Sequence, residues 1–398
     1  MRTRRSSSIR PVFVTKAVRR PQSLGARRAL FQVHLWLGVA FGLYVIVIGI
    51  SGAVLVFRPE LQKATFPQFF HVDRGAAREA DATTLIRALN DAYPRGRLLG
   101  IDWPTYRRDT VLAYITEGAR LRTIFLHPVT AAIIGELPER SWITRLQDLH
   151  FDLLGGPTGR LVNGVGALCL VGMLATGLVV WWPGIERWRR SLSIDFRKSW
   201  KRITWETHSA VGFWMFSLLM LWAITGVEFA FPRQFRAAIN AISPLTRLPA
   251  PESNLSRKGT QPVPTPAALV DQARARVPGA RVGRVVLPAT DRSSTLVLMA
   301  KRLHGDYDTS DEVLVYFDQY TGDVIGTREQ ADIRRTLGDT LMATLGPVHV
   351  GAFGGAGVKT LWAALALSFP LLVVTGIVMW WNRVVADRWT ASRDRSIQ

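Results

Sequence analysis

Cysteine is nearly absent: Cys169 is the only one in 398 residues. A single thiol excludes an intramolecular disulfide framework and a cysteine-only metal cluster, and inside an apolar run it reads as a small packing residue. Catalytic signatures are missing too. There is no Gly-x-x-x-x-Gly-Lys-Ser/Thr phosphate loop, no dinucleotide-binding glycine motif behind a strand, and no Gly-x-Ser-x-Gly elbow. Acid is also short, with 30 Asp and Glu against 50 Lys and Arg, leaving a formal charge of +20.

The position of the basic residues gives that charge a meaning. Four long uncharged runs, Ala29 to Phe57, Leu161 to Trp182, Thr207 to Val227 and Thr360 to Asn382, each reach the roughly 20 residues a helix needs to cross a bilayer. Residues 1–28 hold nine Lys or Arg and no acid, residues 183–204 hold seven against two acids, and residues 382–398 hold four against two. These segments alternate with the spans and carry most of the net charge, so the positive-inside rule makes them, and both termini, cytoplasmic in an inner membrane. A nucleic-acid-binding tail would want an aromatic-interleaved or zinc module beside it, and none is present. The first run is too long for a signal peptide and lacks a small-residue cleavage site, so it is expected to stay as an anchor.

The chain repeats itself. His150 opens HFDLLGG and His349 opens HVGAFGG, and each runs on to a Thr-Gly pair (Thr176-Gly177, Thr375-Gly376) and a Trp-Trp pair (Trp181-Trp182, Trp380-Trp381), all at one offset of 199 residues. At an offset of 174, His34, Gly38, Ser51-Gly52 and Phe57 match His208, Gly212, Thr225-Gly226 and Phe231. This reads as an internal duplication, with four of seven histidines in two related pairs. Such pairing is what a bis-histidine cofactor site between helices requires. His71, His127 and His304 have no repeat partner, and surface or turn positions are expected for them.

The two segments outside the spans repeat as well. Ala82 to Tyr93 reads as a helix, followed by strands near Leu98 to Trp103, Thr110 to Ile115 and Arg120 to Leu126. Thr265 to Val277 is helix-like, followed by strands at Arg281 to Pro288, Thr295 to Ala300 and Glu312 to Asp318. Thr130 to Gly135 aligns with Thr321 to Gly326. The expected fold is an α-helical membrane protein: four spans as a duplicated two-helix unit with two small α+β periplasmic modules. Its segments are a basic 1–28, span 29–57, module 58–140, a histidine segment with span at 141–182, a loop at 183–205, span 206–230, module 231–335, a second histidine segment with span at 336–382, and a tail at 383–398.

Over residues 29–382 the sequence resembles the PepSY-associated transmembrane family. The resemblance rests on YFDQYTGDVIG (Tyr316 to Gly326), on the two modules, and on HLWLG and HSAVG opening the odd-numbered spans. The first module departs from the pattern, with His127-Pro128 and Ala131-Ala132 where the second has Asp318 and Gly322-Asp323. Some members look like inner-membrane dihaem reductases of ferric siderophores, which implies electron transfer in iron acquisition, with a ferric siderophore as acceptor and a separate electron donor.

The histidines suit that chemistry. Neutral imidazole is a good axial ligand, and a bis-histidine haem leaves no iron position open. His34 and His208 stand near the cytoplasmic starts of their spans and are expected to hold one b-type haem. His150 and His349 stand at the outer face and are expected to hold a second. Gly38, Gly42, Gly49 and Gly52 fall on the helix face of His34, which would leave room for a flat macrocycle. A continuous helix from His150 to Trp181 would run roughly 46 Å, so the Gly155-Gly156-Pro157 break is expected to fold His150 back. Arg27, Arg28 and Arg202 inside, and Arg160 or Lys359 outside, could meet haem propionates. The Trp pairs read as interfacial anchors and Glu228 as an interfacial carboxylate. Two rival readings are a membrane-anchored peptide-binding or peptidase-regulating module, which gives the paired histidines no role, and a transporter, which the scarcity of mid-depth polar groups disfavours.

Overall fold

A computed structural model describes residues 21–384 apart from 74–76, 105–107, 119, 139 and 301–310. His304 and much of the basic segments 1–28 and 383–398 lie outside the described residues. In chain order the helices are α1 (Gly25–Leu55), α2 (Arg58–Thr65), α3 (Ala82–Ala92), α4 (Trp142–Asp152), α5 (Gly156–Trp181), α6 (Trp200–Ala230), α7 (Pro232–Ile242), α8 (Pro266–Arg276), α9 (Leu337–His349), α10 (Gly355–Ala366) and α11 (Ser368–Val384). The strands are β1 (Arg97–Asp102), β2 (Val111–Glu117), β3 (Arg120–Leu126), β4 (Ile133–Glu136), β5 (Arg281–Val286), β6 (Thr295–Ala300), β7 (Glu312–Phe317) and β8 (Val324–Glu329).

The chain divides into two compact units. The first takes residues 1–57, 145–241 and 344–398 and is helical. Four of its helical stretches, α1, α5, α6 and Gly355–Val384, are long and apolar enough to cross a membrane, and they fall on the four runs read from the sequence. The last is interrupted at Leu367, ahead of Pro370, which has no N–H to give to the preceding turn. Val45, Leu170, Leu219, Trp222, Phe369 and Val373 pack together inside the bundle, while Leu43, Leu168 and Val374 face outward. Helices that are apolar on every side belong in lipid or a protein core. Helix α7 clusters with this unit, so the second module begins near Ile242 rather than at residue 231.

The second unit, residues 58–144 and 242–343, joins the two α+β halves expected from the sequence. Its eight strands form one antiparallel sheet in the order β4-β3-β2-β1-β5-β6-β7-β8. Alternate residues of β2 and β6 are buried, as a period of two requires when one face is covered. On that face Leu85 and Leu89 of α3 and Leu269 and Ala273 of α8 join Ile101, Ile115, Val285, Val297 and Phe317 in a single core. At the seam Gly100, Ile101 and Asp102 pair with Val286, Val285 and Arg284, so neither β1 nor β5 is left as an open edge. Asp102 binds Arg284 through two hydrogen bonds and accepts a third from the Tyr114 hydroxyl. The carboxylate raises the pKa of the Arg284 guanidinium and holds it charged.

The departure in the first module's turn proves to be a substitution of chemistry with geometry kept. In the second half Asp318 accepts from the backbone N–H groups of Tyr320 and Thr321 at 2.9 and 3.2 Å. In the first, His127 Nδ1 accepts from those of Val129 and Thr130 at 3.2 and 3.3 Å. Ala131 takes the left-handed conformation (φ 56°) that Gly322 takes at φ 73°. His127 is thus a turn residue. His71 lies beside Asp109 at 3.0 Å, half of its side chain exposed.

The seam allows no side chain at Gly100, where a Cβ would stand 2.6 Å from the Val285 carbonyl oxygen. Backbone cannot give way as a side-chain tip can, so Gly100→Ala is expected to cost about 1–3 kcal/mol. Thermal unfolding in detergent reads this as a lower Tm; an unchanged Tm would mean that the halves do not share this seam.

Candidate functional site

The two histidine pairs meet within the helical unit. His34 on α1 and His208 on α6 have ring centroids 6.3 Å apart. His34 Nδ1 donates to the Met173 carbonyl at 2.9 Å, and His208 Nδ1 donates to the Leu372 carbonyl at 3.0 Å. Met173 and Leu372 each lie three residues before a repeated threonine, Thr176 and Thr375. Those hydroxyls donate to carbonyls of their own helices, and Thr375 also stands 3.0 Å from His208 Nδ1. A carbonyl can only accept, so Nδ1 carries the proton and Nε2 keeps its lone pair.

His150 and His349 form the second pair, centroids 6.4 Å apart. His150 ends α4, and the chain reverses into α5 through Leu153, Leu154 and Gly156, all left-handed at φ 52°, 63° and 56°. Two non-glycine residues in that region cost about 1–3 kcal/mol each. The turn delivers the His150 ring to α1, where Ser51 Oγ lies 2.9 Å from Nδ1. His349 Nδ1 meets Thr225 Oγ1 of α6 at 2.6 Å. Both residues precede their spans in the chain, and burial lowers the pKa of each ring, which keeps the imidazoles neutral. Side chains also hold the segment ends: Asn163 Nδ2 donates to the His150 carbonyl at 2.9 Å, and the Trp222 and Trp362 indoles donate to the His349 and Val348 carbonyls.

The repeated Ser/Thr-Gly pairs are therefore seats for imidazoles. A Cβ on Gly177 would stand 2.9 Å from His34 Cε1, one on Gly52 would stand 2.9 Å from His150 Cε1, and one on Gly376 would stand 3.3 Å from His208 Cε1. Gly226 differs and packs on Ala167. The expectation of a glycine-lined face for a macrocycle holds only in part. Gly38 and Gly212 do line a cavity beside His34 and His208, whereas Gly42 and Gly49 meet Val373 and Phe369 in close helix contacts.

That cavity is about 1180 Å³, above the usual range for a small-ligand pocket. Arg27, Lys201, Arg202 and Arg383 are among its lining residues, and Glu186 is its one acid. Arg27 and Arg202 are two of the cations expected beside an anionic group; Arg28 does not line the cavity, and Arg202 also pairs with Glu206 at 2.9 Å. Arg160 borders a separate cavity of about 550 Å³ with Arg233, and Lys359 is buried. Trp181 and Trp380 also border the larger cavity, with indole nitrogens buried and unpartnered, while Trp381 is exposed. Glu228 is buried at the end of α6.

Two metal–imidazole bonds of about 2.0 Å in line, with about 1.1 Å from each ring centre to its nitrogen, span about 6.2 Å. Both pairs match that span. A closed protein-only metal site needs about four ligands, and among the described residues no group of three or more His, Cys, Asp or Glu could hold an ion. Each pair supplies two of the ligands a metal would need.

The sequence model of one family, the PepSY-associated TM region, matches residues 31–383, nearly the whole chain, and the chain belongs to that family. Among curated proteins none matches it. Four apolar helices and this membership make it a multi-pass membrane protein.

Sequence reading paired the histidines as the structure places them and missed what holds them. The Ser/Thr-Gly repeats were the available signal. Asn163 and Trp362 occupy matching positions yet share no chemistry, so no repeat announces them. A methyl group at Gly177 should push the His34 ring aside and cost about 1 kcal/mol through the lost Met173 bond. Gly172→Ala, on the same helix with nothing within 4 Å, should leave Tm unchanged or raise it; equal losses in the two variants would refute the seat.

Proposed function

We propose that this PepSY-associated membrane protein is an inner-membrane electron carrier that holds one b-type haem at each histidine pair and delivers electrons to a ferric chelate, by family resemblance a ferric siderophore, on the periplasmic side. The observation that carries the reading is the pair of centroid separations, 6.3 and 6.4 Å, with an acceptor at every Nδ1. Haem, if bound, would supply a one-electron ferric–ferrous couple. The chain supplies the rest. Each Nε2 lone pair is kept available because Nδ1 is engaged, and Arg27, Lys201 and Arg202 give the larger cavity cationic groups suited to carboxylates.

His34 and Ser51 stand 17 residues apart on α1, about 26 Å of helix, so the two pairs serve opposite ends of the spans. The basic segments 1–28 and 183–204 favour a cytoplasmic position for the His34/His208 end. Reduction on the opposite side then needs no side-chain nucleophile. A donor partner must bring the electrons in. A peptide-binding module anchored by inert helices leaves the matched separations without a cause.

Purified in detergent, the protein should show a reduced-minus-oxidised spectrum of b-type haem and two haems per chain by the pyridine haemochrome method. His34→Ala and His349→Ala should each lose one. A colourless protein from cells supplied with haem would overturn the reading.

A further inference from the structure

The four histidines are not held alike. At the His34/His208 pair each Nδ1 faces a backbone carbonyl fixed by the helix that carries it, with the Thr375 hydroxyl beside the carbonyl at His208. At the other pair the groups facing Nδ1 include two side-chain hydroxyls. Ser51 Oγ donates to the Val47 carbonyl at 2.6 Å, and Thr225 Oγ1 donates to the Leu221 carbonyl at 2.8 Å. A hydroxyl has one proton, and here helix carbonyls stand within reach of it. With that proton on the helix, each hydroxyl offers the imidazole a lone pair, and the ring nitrogen facing it carries the hydrogen. Ser51 is 2 % exposed and Thr225 0 %, which leaves no room for water to take over the contact.

We propose that Ser51 and Thr225 are positioning residues for the His150/His349 pair, selecting the tautomer that ligates through Nε2 and setting the reduction potential of the haem held there. This rests on the haem reading above. A hydrogen bond accepted from Nδ1–H raises the basicity of the ligating nitrogen and favours ferric over ferrous iron. Removing the acceptor leaves a buried N–H unpaired, weakens that preference and raises the potential. Thr225 is the sharper case, at 2.6 Å from His349 Nδ1. His150 also has the Ile48 carbonyl beside it, so the loss of Ser51 should have the smaller effect.

The test is a spectroelectrochemical titration of the purified full-length protein carrying its haems. Thr225→Val keeps the shape and removes the acceptor, and Thr225→Ser restores it. In Thr225→Val, the haem that His349→Ala abolishes should lose about tenfold of its ferric preference, which for a one-electron couple is about 59 mV upward. Thr225→Ser should bring it back, and the other haem should not move, serving as an internal check on folding. Ser51→Ala reads the same effect from the second ligand. A Thr225→Val potential equal to that of the unaltered protein, or an equal shift in Thr225→Ser, would overturn this inference while leaving the dihaem reading intact. A protein with no haem would overturn both.

Discussion

An imidazole inside a helical bundle has two nitrogens, and an unpaired polar atom away from water is costly. Giving Nδ1 an acceptor solves half of that problem and leaves the Nε2 lone pair as the other half. Everything distinctive in the helical unit follows from seating four rings this way. Three glycines, at 52, 177 and 376, clear the space. The residues just before them, Ser51, Thr176 and Thr375, turn their hydroxyl protons back on their own helices. The reversals after His150 and His349 then return those rings to the bundle, at the expense of left-handed backbone at Leu153 and Leu154.

The two ends of the bundle differ in what surrounds the rings. The His34/His208 end opens into a cavity rich in arginine, with two indole N–H groups unmatched in its wall. The His150/His349 end is held by hydroxyls, by Asn163 and by the Trp222 and Trp362 indoles. The repeats are thus alike in scaffold and unlike in the charged and polar groups around the rings.

Much of this was legible in the sequence because repeats and periodicity record local structure. The four spans, helix Ala82–Ala92, and strands Arg120–Leu126 and Thr295–Ala300 lie where apolar pattern put them. What pattern could not carry was long-range pairing. The β1–β5 seam is made of short strands that read equally well as edges, and Gly100 looks like any strand glycine until the Val285 carbonyl is seen above it. Gly42 and Gly49 share a helix face with His34, yet that face turns through two environments, a cavity and a packed contact with α11. His127 hid as an apparent loss of the turn residue because imidazole nitrogen and carboxylate oxygen can accept the same backbone bonds.

The seam also fixes an order of events during synthesis. β1 is complete by Asp102, but its partner β5 does not begin until Arg281. At ribosomal speeds of about 5–20 residues per second, roughly 10–40 s pass with the first half's sheet ending in an unpaired strand. Two further spans must also be threaded in that interval. The first module therefore spends its early life as half of a sheet, and the strand that completes it is made only after two more spans.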